Sequence, residues 1–250
     1  MPAPYRGVLF DLFGTLIGVD LSRLPALEVG GQRHRTTVAG LVDALAAWVP
    51  GTSPLAFLEA LLSVSEEMAR VRAYDHLELP SRERFRRALE RVGCEDEVIA
   101  EAAVHLSRTH MGLIAQATVF PPEHAALLET LRPRYRLGVV SNFDDTTTAY
   151  DILVRHGIAP LLDAVVISEA LGLRKPHPAV VRAAVRTLGL EAAAVLLVGD
   201  TFAEDVAGAR AAGVDAVWID VAGRGVPDGV ERPRWVVRTL PELGGILACP

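Results

Sequence analysis

The stretch Gly7-Val8-Leu9-Phe10-Asp11-Leu12-Phe13-Gly14-Thr15 decides how the chain is read. A short apolar run, Gly7 to Phe10, stops at a carboxylate. Continuous apolarity at this length suits a strand covered on both faces, as in a parallel sheet. Asp11 and Thr15 then stand past its carboxyl end, where open parallel sheets bind ligands. Alone, Asp11 reads as readily as a turn or cap residue. The early carboxylate also breaks the run too soon for a secretory leader.

Four more runs have the same character: Leu137 to Ser141, Ala164 to Ser168, Ala194 to Val198 and Ala216 to Ile219. Between them the pattern is helical. Val180, Val181, Ala184, Val185 and Leu188 form one apolar stripe, stopped by Gly189. Tyr150, Leu153 and Val154 precede Gly157, and Val206, Ala209 and Ala212 precede Gly213. Strict alternation of strand and helix implies right-handed crossovers and a doubly wound α/β sheet of Rossmann-like type. From about Leu21 to Ala117 the rhythm breaks, and four helical patterns occur with almost no strand signal. They start near Val38, at Ser53-Pro54 (a capping hydroxyl before proline), at Ser81 and near Val98. We expect an α/β core of residues 1–17 and 118–250 and an all-α helical bundle of residues 18–117.

Three predicted strand ends carry polar groups, and a lysine follows another: Asp11 to Thr15, Ser141-Asn142, Lys175-Pro176-His177-Pro178, and Gly199-Asp200 with Asp205 five residues on. Each has an ordinary reading as turn, cap or solvated surface. Together they can do chemistry. A carboxylate serves as nucleophile or metal ligand. A hydroxyl and backbone N–H groups hold phosphoryl oxygens. A lysine neutralises developing negative charge. Two further aspartates supply the hard oxygens that Mg²⁺ prefers. The sum suits phosphoryl transfer to water.

Composition narrows the partners. Half of the 250 residues are hydrophobic and 22% are charged, enough for a packed core. A net charge of −6 with no polybasic run argues against nucleic acid. No apolar run reaches the roughly 20 residues that span a bilayer, so no membrane partner is expected. Two cysteines, Cys94 and Cys249, give neither a disulfide framework nor a zinc cluster and fit a reducing, cytoplasmic setting. The expected partner is a small molecule, bound by a monomer or homodimer.

The set Asp11-x-x-Gly14-Thr15, Ser141, Lys175-Pro176 and Gly199-Asp200-(x)4-Asp205 resembles the haloacid dehalogenase superfamily of hydrolases, with a helical cap inserted after the first motif. The resemblance implies these roles. Asp11 is the nucleophile and Thr15 orients it. Ser141 and the backbone at Asn142 bind the transferring group, and Lys175 neutralises charge. Mg²⁺ is held by Asp11, the Phe13 carbonyl and Asp200, with Asp205 acting directly or through water. One position departs from the pattern. Phosphatases of the family usually carry a second aspartate, the general acid and base, where this chain has Phe13. Loss of a positioned acid costs about 10²–10⁴-fold in rate. Three readings stay open: a Mg²⁺-dependent phosphatase, with His177, Asp144 or Asp145 as candidate substitutes; a metal-independent 2-haloacid dehalogenase, whose relatives often have an aromatic there; and a catalytically weak binding protein. Gly199-Asp200 and Asp205 favour the first, because three converging carboxylates need a cation. In the expected cap, Arg33 within Gln32-Arg33-His34-Arg35 is a candidate substrate contact, weighed against a solvated loop or helix start. Trp48 and Tyr74 are assigned to core packing or an interface, and Trp218 to the core.

Overall fold

The computed structural model describes residues 5–29 and 31–248. The chain forms two compact units, residues 1–18 with 119–250, and residues 19–118. From β1 (Gly7–Phe10) it runs through the two-residue β2 (Gly18–Val19), β3 (Ala26–Val29) and β4 (Gln32–Arg35). Helices α1 (Val38–Trp48), α2 (Pro54–Asp75), α3 (Ser81–Arg91) and α4 (Asp96–Ala117) follow, then the two-residue β5 (Thr118–Val119). The rest alternates: α5 (Pro122–Leu131), β6 (Arg136–Ser141), α6 (Thr146–Arg155), β7 (Ala164–Ile167), α7 (Ser168–Leu171), α8 (Pro178–Thr187), β8 (Val195–Gly199), α9 (Ala207–Ala212), β9 (Asp215–Ile219), β10 (Trp235–Val237) and α10 (Leu243–Ala248).

The first unit holds a six-stranded sheet in the order β10-β9-β8-β1-β6-β7, and every neighbouring pair is parallel. After β1 the strands progress outward on one side through β6 and β7. They then resume on its other side with β8. That reversal is a topological switch point, the position where parallel sheets open a crevice at their carboxyl ends. Register aligns those ends: Phe10 pairs with Val139 on one side and Val198 on the other. Residues 11, 141 and 200 therefore leave the sheet at one edge.

Packing explains why the crossovers lie flat. The α8 stripe Val180, Val181, Ala184, Val185 and Leu188 is buried as its spacing predicts, against Leu9, Val140, Val195 and Leu197 of the strands. Trp218 is core, as expected. The α6 stripe is corrected: Tyr150 and Val154 are exposed, and the buried face is Thr148, Ala149, Ile152 and Leu153. Asp145 caps this helix by accepting from Thr148 N at 2.8 Å, and its threonine-rich first turn offers only the small Ala149 to mark the phase. Strand β10 went unread because three residues after Arg232-Pro233-Arg234 give too short a run.

In the second unit, α1 to α4 close around Leu41, Leu45, Phe57, Leu61, Phe85, Leu89, Ile99, Ala102 and Leu106. Ser53 caps α2 by accepting from Ala56 N at 3.4 Å, with Pro54 in its first turn. The expectation of an all-α insertion is corrected, because β3 and β4 form an antiparallel hairpin pairing Val29 with Gln32 and Ala26 with Arg35. Gly31, just before β4, has φ 76°, a conformation that suits glycine. Tyr74 is 82% exposed and so is not a core residue, while Trp48 is partly exposed with its ring 4.5 Å from that of His105. Cys249 lies outside the described residues. Among those described, no helix is long and apolar enough to cross a membrane.

Candidate active site

Asp11 follows directly on β1, and its N–H donates to Val198 O at 2.9 Å, so the sheet itself fixes the backbone beneath this carboxylate. Lys175 reaches it from the loop between α7 and α8. Lys175 Nζ donates to Asp11 Oδ1 (2.7 Å), Asp205 Oδ1 (2.6 Å) and Val140 O (2.8 Å), which uses all three ammonium protons. Asp205 Oδ2 accepts from Thr201 N at 2.9 Å. Asp205 thus braces the lysine, and β8 ends in glycine for that reason: a Cβ on Gly199 would lie 2.2 Å from Asp205 Cγ.

Asp200 completes an acidic cluster. Asp11, Asp200 and Asp205 each present an oxygen within 4.8 Å of the others. Gly14 has φ 86°, and a Cβ there would stand 2.6 Å from Asp200 Oδ2, so only glycine leaves the carboxylate its place. The expected role of Thr15 is corrected: Thr15 Oγ1 donates to Asp200 Oδ1, at 3.3 Å, and not to Asp11. The indole of Trp218 donates to Asp200 O at 2.9 Å. Beside this edge a cavity of about 440 Å³ is lined by Asp200, Phe202, Trp218 and Arg224 among others.

The electrostatics are unbalanced. Three carboxylates face one ammonium. Burial pushes the Asp11 carboxyl up, Asp205 and Asp200 add to that, and Lys175 opposes it; the result is about 7. Asp200 is raised by burial and by Asp205. Burial disfavours the Lys175 charge, but Asp11 and Asp205 outweigh it and hold the group above its ordinary value as an ammonium. A second imbalance sits at the end of β6. Ser141 Oγ is buried and has no hydrogen-bond partner among the described residues. A buried hydroxyl left idle costs about 1–3 kcal/mol, so such an atom marks a place for an incoming group. The donor set is all carboxylate oxygen, the chemistry Mg²⁺ takes, and Gly14 keeps the cradle open.

A family model described as a haloacid dehalogenase-like hydrolase matches residues 5–213. The chain belongs to this family. Among curated proteins it is similar to the glyceraldehyde 3-phosphate phosphatase of Methanopyrus kandleri, 26% identical over 95% of this chain and 98% of that one. It is also similar to the pyrimidine 5'-nucleotidase YjjG of Escherichia coli, 29% identical over 66% of this chain and 69% of that one. Among solved structures it resembles the 2-haloacid dehalogenase of Pseudomonas syringae, with 25% identity, a TM-score of 0.72 and 98% of both chains covered.

In this haloacid dehalogenase-like hydrolase, Phe13 packs its ring 4.7 Å from that of Phe143. Phe143 is held in turn by Ser168, whose hydroxyl accepts from Phe143 N (2.9 Å) and donates to Phe143 O (3.2 Å). Two candidate substitute acids have other duties. His177 Nδ1 caps α8 by accepting from Ala179 N at 3.2 Å, and Asp145 caps α6. The backbone bridge between Phe13 and Ile17 is made by Gly14 N to Ile17 O and Ile17 N to Leu12 O, which leaves the Phe13 carbonyl outside it. Asn142 does not offer its side chain to a substrate: the carboxamide bonds Lys175 and Glu204. Sequence reasoning missed Glu204, although its place beside Asp205 was a visible signal. Arg33 belongs to the second unit, exposed on β4 opposite Glu28, and the expected loop or helix start is corrected to a strand.

Proposed function

We propose that the protein is a Mg²⁺-dependent phosphatase acting on a small phosphorylated metabolite. The observation that carries this is the acidic cluster itself, three carboxylates around one ammonium beside an idle serine hydroxyl. Asp11 Oδ attacks phosphorus, the ester P–O bond breaks to give an aspartyl phosphate, and the alcohol oxygen leaves as the anion and takes its proton from water, since Phe13 has none to give. Water then attacks phosphorus and releases a proton to solvent, the P–O bond to Asp11 breaks, and inorganic phosphate leaves with the Asp11 carboxylate restored. Ser141 Oγ and the Asn142 backbone N–H donate to the phosphoryl oxygens, and Lys175 offsets charge shared between nucleophile and phosphate. Asp11, the Phe13 carbonyl and Asp200 would hold Mg²⁺, with Asp205 behind them. When bound, the ion supplies positive charge that keeps Asp11 ionised and neutralises phosphoryl oxygens. Residues 19–118 act as the cap that excludes water and selects the substrate. The similarity to phosphatases of small phosphate esters supports the substrate class.

The test is phosphate release from an aryl phosphate and from a panel of phosphorylated metabolites. Activity requires Mg²⁺, stops on chelation, and is abolished in Asp11→Asn. No release with any metal or substrate refutes the proposal.

Phe13 and the likeness to the Pseudomonas syringae dehalogenase favour a second reading. There Asp11 attacks carbon, halide leaves, and no acid is needed. Chelator-insensitive halide release from a short 2-haloacid would establish it, and absence of halide removes it.

A further inference from the structure

The Lys175 ammonium works only if its main chain is held at the right height above the sheet, and Lys175 itself lies in a loop outside the six strands. The carboxamide of Asn142 supplies the hold. Asn142 Oδ1 accepts from Lys175 N at 2.7 Å, and Asn142 Nδ2 donates to Lys175 O at 3.0 Å. One side chain thus copies the two-bond exchange of paired strands. The second Nδ2 proton goes to Glu204 Oε2 at 2.8 Å. Because Glu204 accepts only, it fixes which end of the carboxamide is nitrogen. Its other oxygen accepts from Arg174 Nη2 at 3.0 Å, on the residue just before Lys175.

Glu204 and Asp205 are neighbours within a single π-helical turn, Phe202–Val206. The widened turn, a feature frequent at functional sites, aims two adjacent carboxylates at one loop. Asp205 takes the lysine's ammonium, and Glu204 takes its backbone through Asn142.

We propose that Glu204 is a positioning residue, acting through the Asn142 carboxamide to hold Lys175 at the nucleophile. For rates this rests on the phosphatase reading; as a statement about Lys175 it does not.

The experiment compares Glu204→Ala, Glu204→Gln, Asn142→Ala and the double variant Glu204→Ala/Asn142→Ala. Rates are measured with an aryl phosphate and Mg²⁺, and the Lys175 ammonium is followed by ¹⁵N–¹H NMR. We expect kcat to fall about 10–100-fold in Glu204→Ala, the range for losing an orienting partner, with KM within about threefold. Glu204→Gln keeps an acceptor for Asn142 and recovers most of the rate. The double variant is no slower than Asn142→Ala, since both act on one element. The buried ammonium, held by three acceptors, gives a slowly exchanging resonance that broadens in Glu204→Ala and returns in Glu204→Gln. An unchanged resonance in folded Glu204→Ala overturns the proposal, as do additive losses in the double variant. If wild type releases no phosphate, the phosphatase reading fails, and the resonance still decides the role of Glu204.

Discussion

Lys175 Nζ donates to Asp11 Oδ1 at 2.7 Å, yet the Asp11 carboxyl is pushed up, to about 7, and not down. Burial and two neighbouring carboxylates outweigh one ammonium that Asp205 also claims. The sign of the consequence follows. Without a cation, folding raises this carboxyl from 3.8, so the folded chain holds a proton that the unfolded chain releases. Its contribution is complete below about pH 4 and is lost as pH rises through about 7, a change of a few kcal/mol at most. In chelator, the urea midpoint of wild type falls between pH 5 and pH 8. Asp11→Asn flattens that slope and is the more stable protein at pH 8. Added Mg²⁺ raises the wild-type midpoint more at pH 8 than at pH 5. A flat wild-type profile would contradict the crowding of charge.

Ser141 separates stability from catalysis. Its hydroxyl is buried and has no hydrogen-bond partner among the described residues. Ser141→Ala therefore leaves the thermal midpoint unchanged or slightly raised, since a desolvated donor is removed. The same change lowers phosphate release about 10²-fold, because a donor to the phosphoryl oxygens is lost. Calorimetry and initial rates on one preparation check both halves. Parallel losses would make Ser141 a packing residue.

Phe13 stands where an acid is expected. Phe13→Asp raises kcat on substrates with poor leaving groups by about 10²-fold or more, and changes little for an aryl phosphate that leaves unaided. Stability falls by about 1 kcal/mol as the ring pair with Phe143 is lost. Rates across a series of leaving groups give the answer; a uniform loss would show that the ring serves the reaction.

The helical unit has its own pH response, of opposite sign. Glu83 accepts from Arg86 and Arg87, and its carboxyl is lowered to about 2 by those partners, chiefly by the Arg86 hydrogen bond. This stabilisation is present above about pH 4.5 and is lost as pH falls toward 2. The side chain is 22% exposed, so solvent screening trims the effect. Glu83→Gln costs about 0.5–1 kcal/mol at pH 7 and almost nothing at pH 2. Chemical denaturation at the two pH values measures it.

Five of the sheet's six strands were readable, from residues 7–10, 137–141, 164–168, 194–198 and 216–219, because fully covered strands show unbroken apolarity, which little else in a short segment does. Two exposed positions in α6 defeated the same logic. In the α6 pattern Tyr150 and Val154 look buried by composition, but the cap at Asp145 goes with a buried face of Thr148, Ala149, Ile152 and Leu153. The hairpin of β3 and β4 alternates poorly, and its clearest mark was Gly30-Gly31. At the site, residue types announced the charged groups, while the partner of each hydroxyl or amide was invisible. Thr15 turns to Asp200, and Asn142 turns to Lys175 and Glu204, because hydrogen-bond direction is set by loops brought together from distant positions.

Asp11 and Lys175 lie 164 positions apart, and Asp205 a further 30 along the chain. During synthesis Asp11 is therefore made well before its countercharge, and the brace follows later still. A nascent or truncated polypeptide ending before the turn that holds Asp205 carries an unarmed aspartate. Assembly of the cluster thus depends on a slow search for contacts between remote segments.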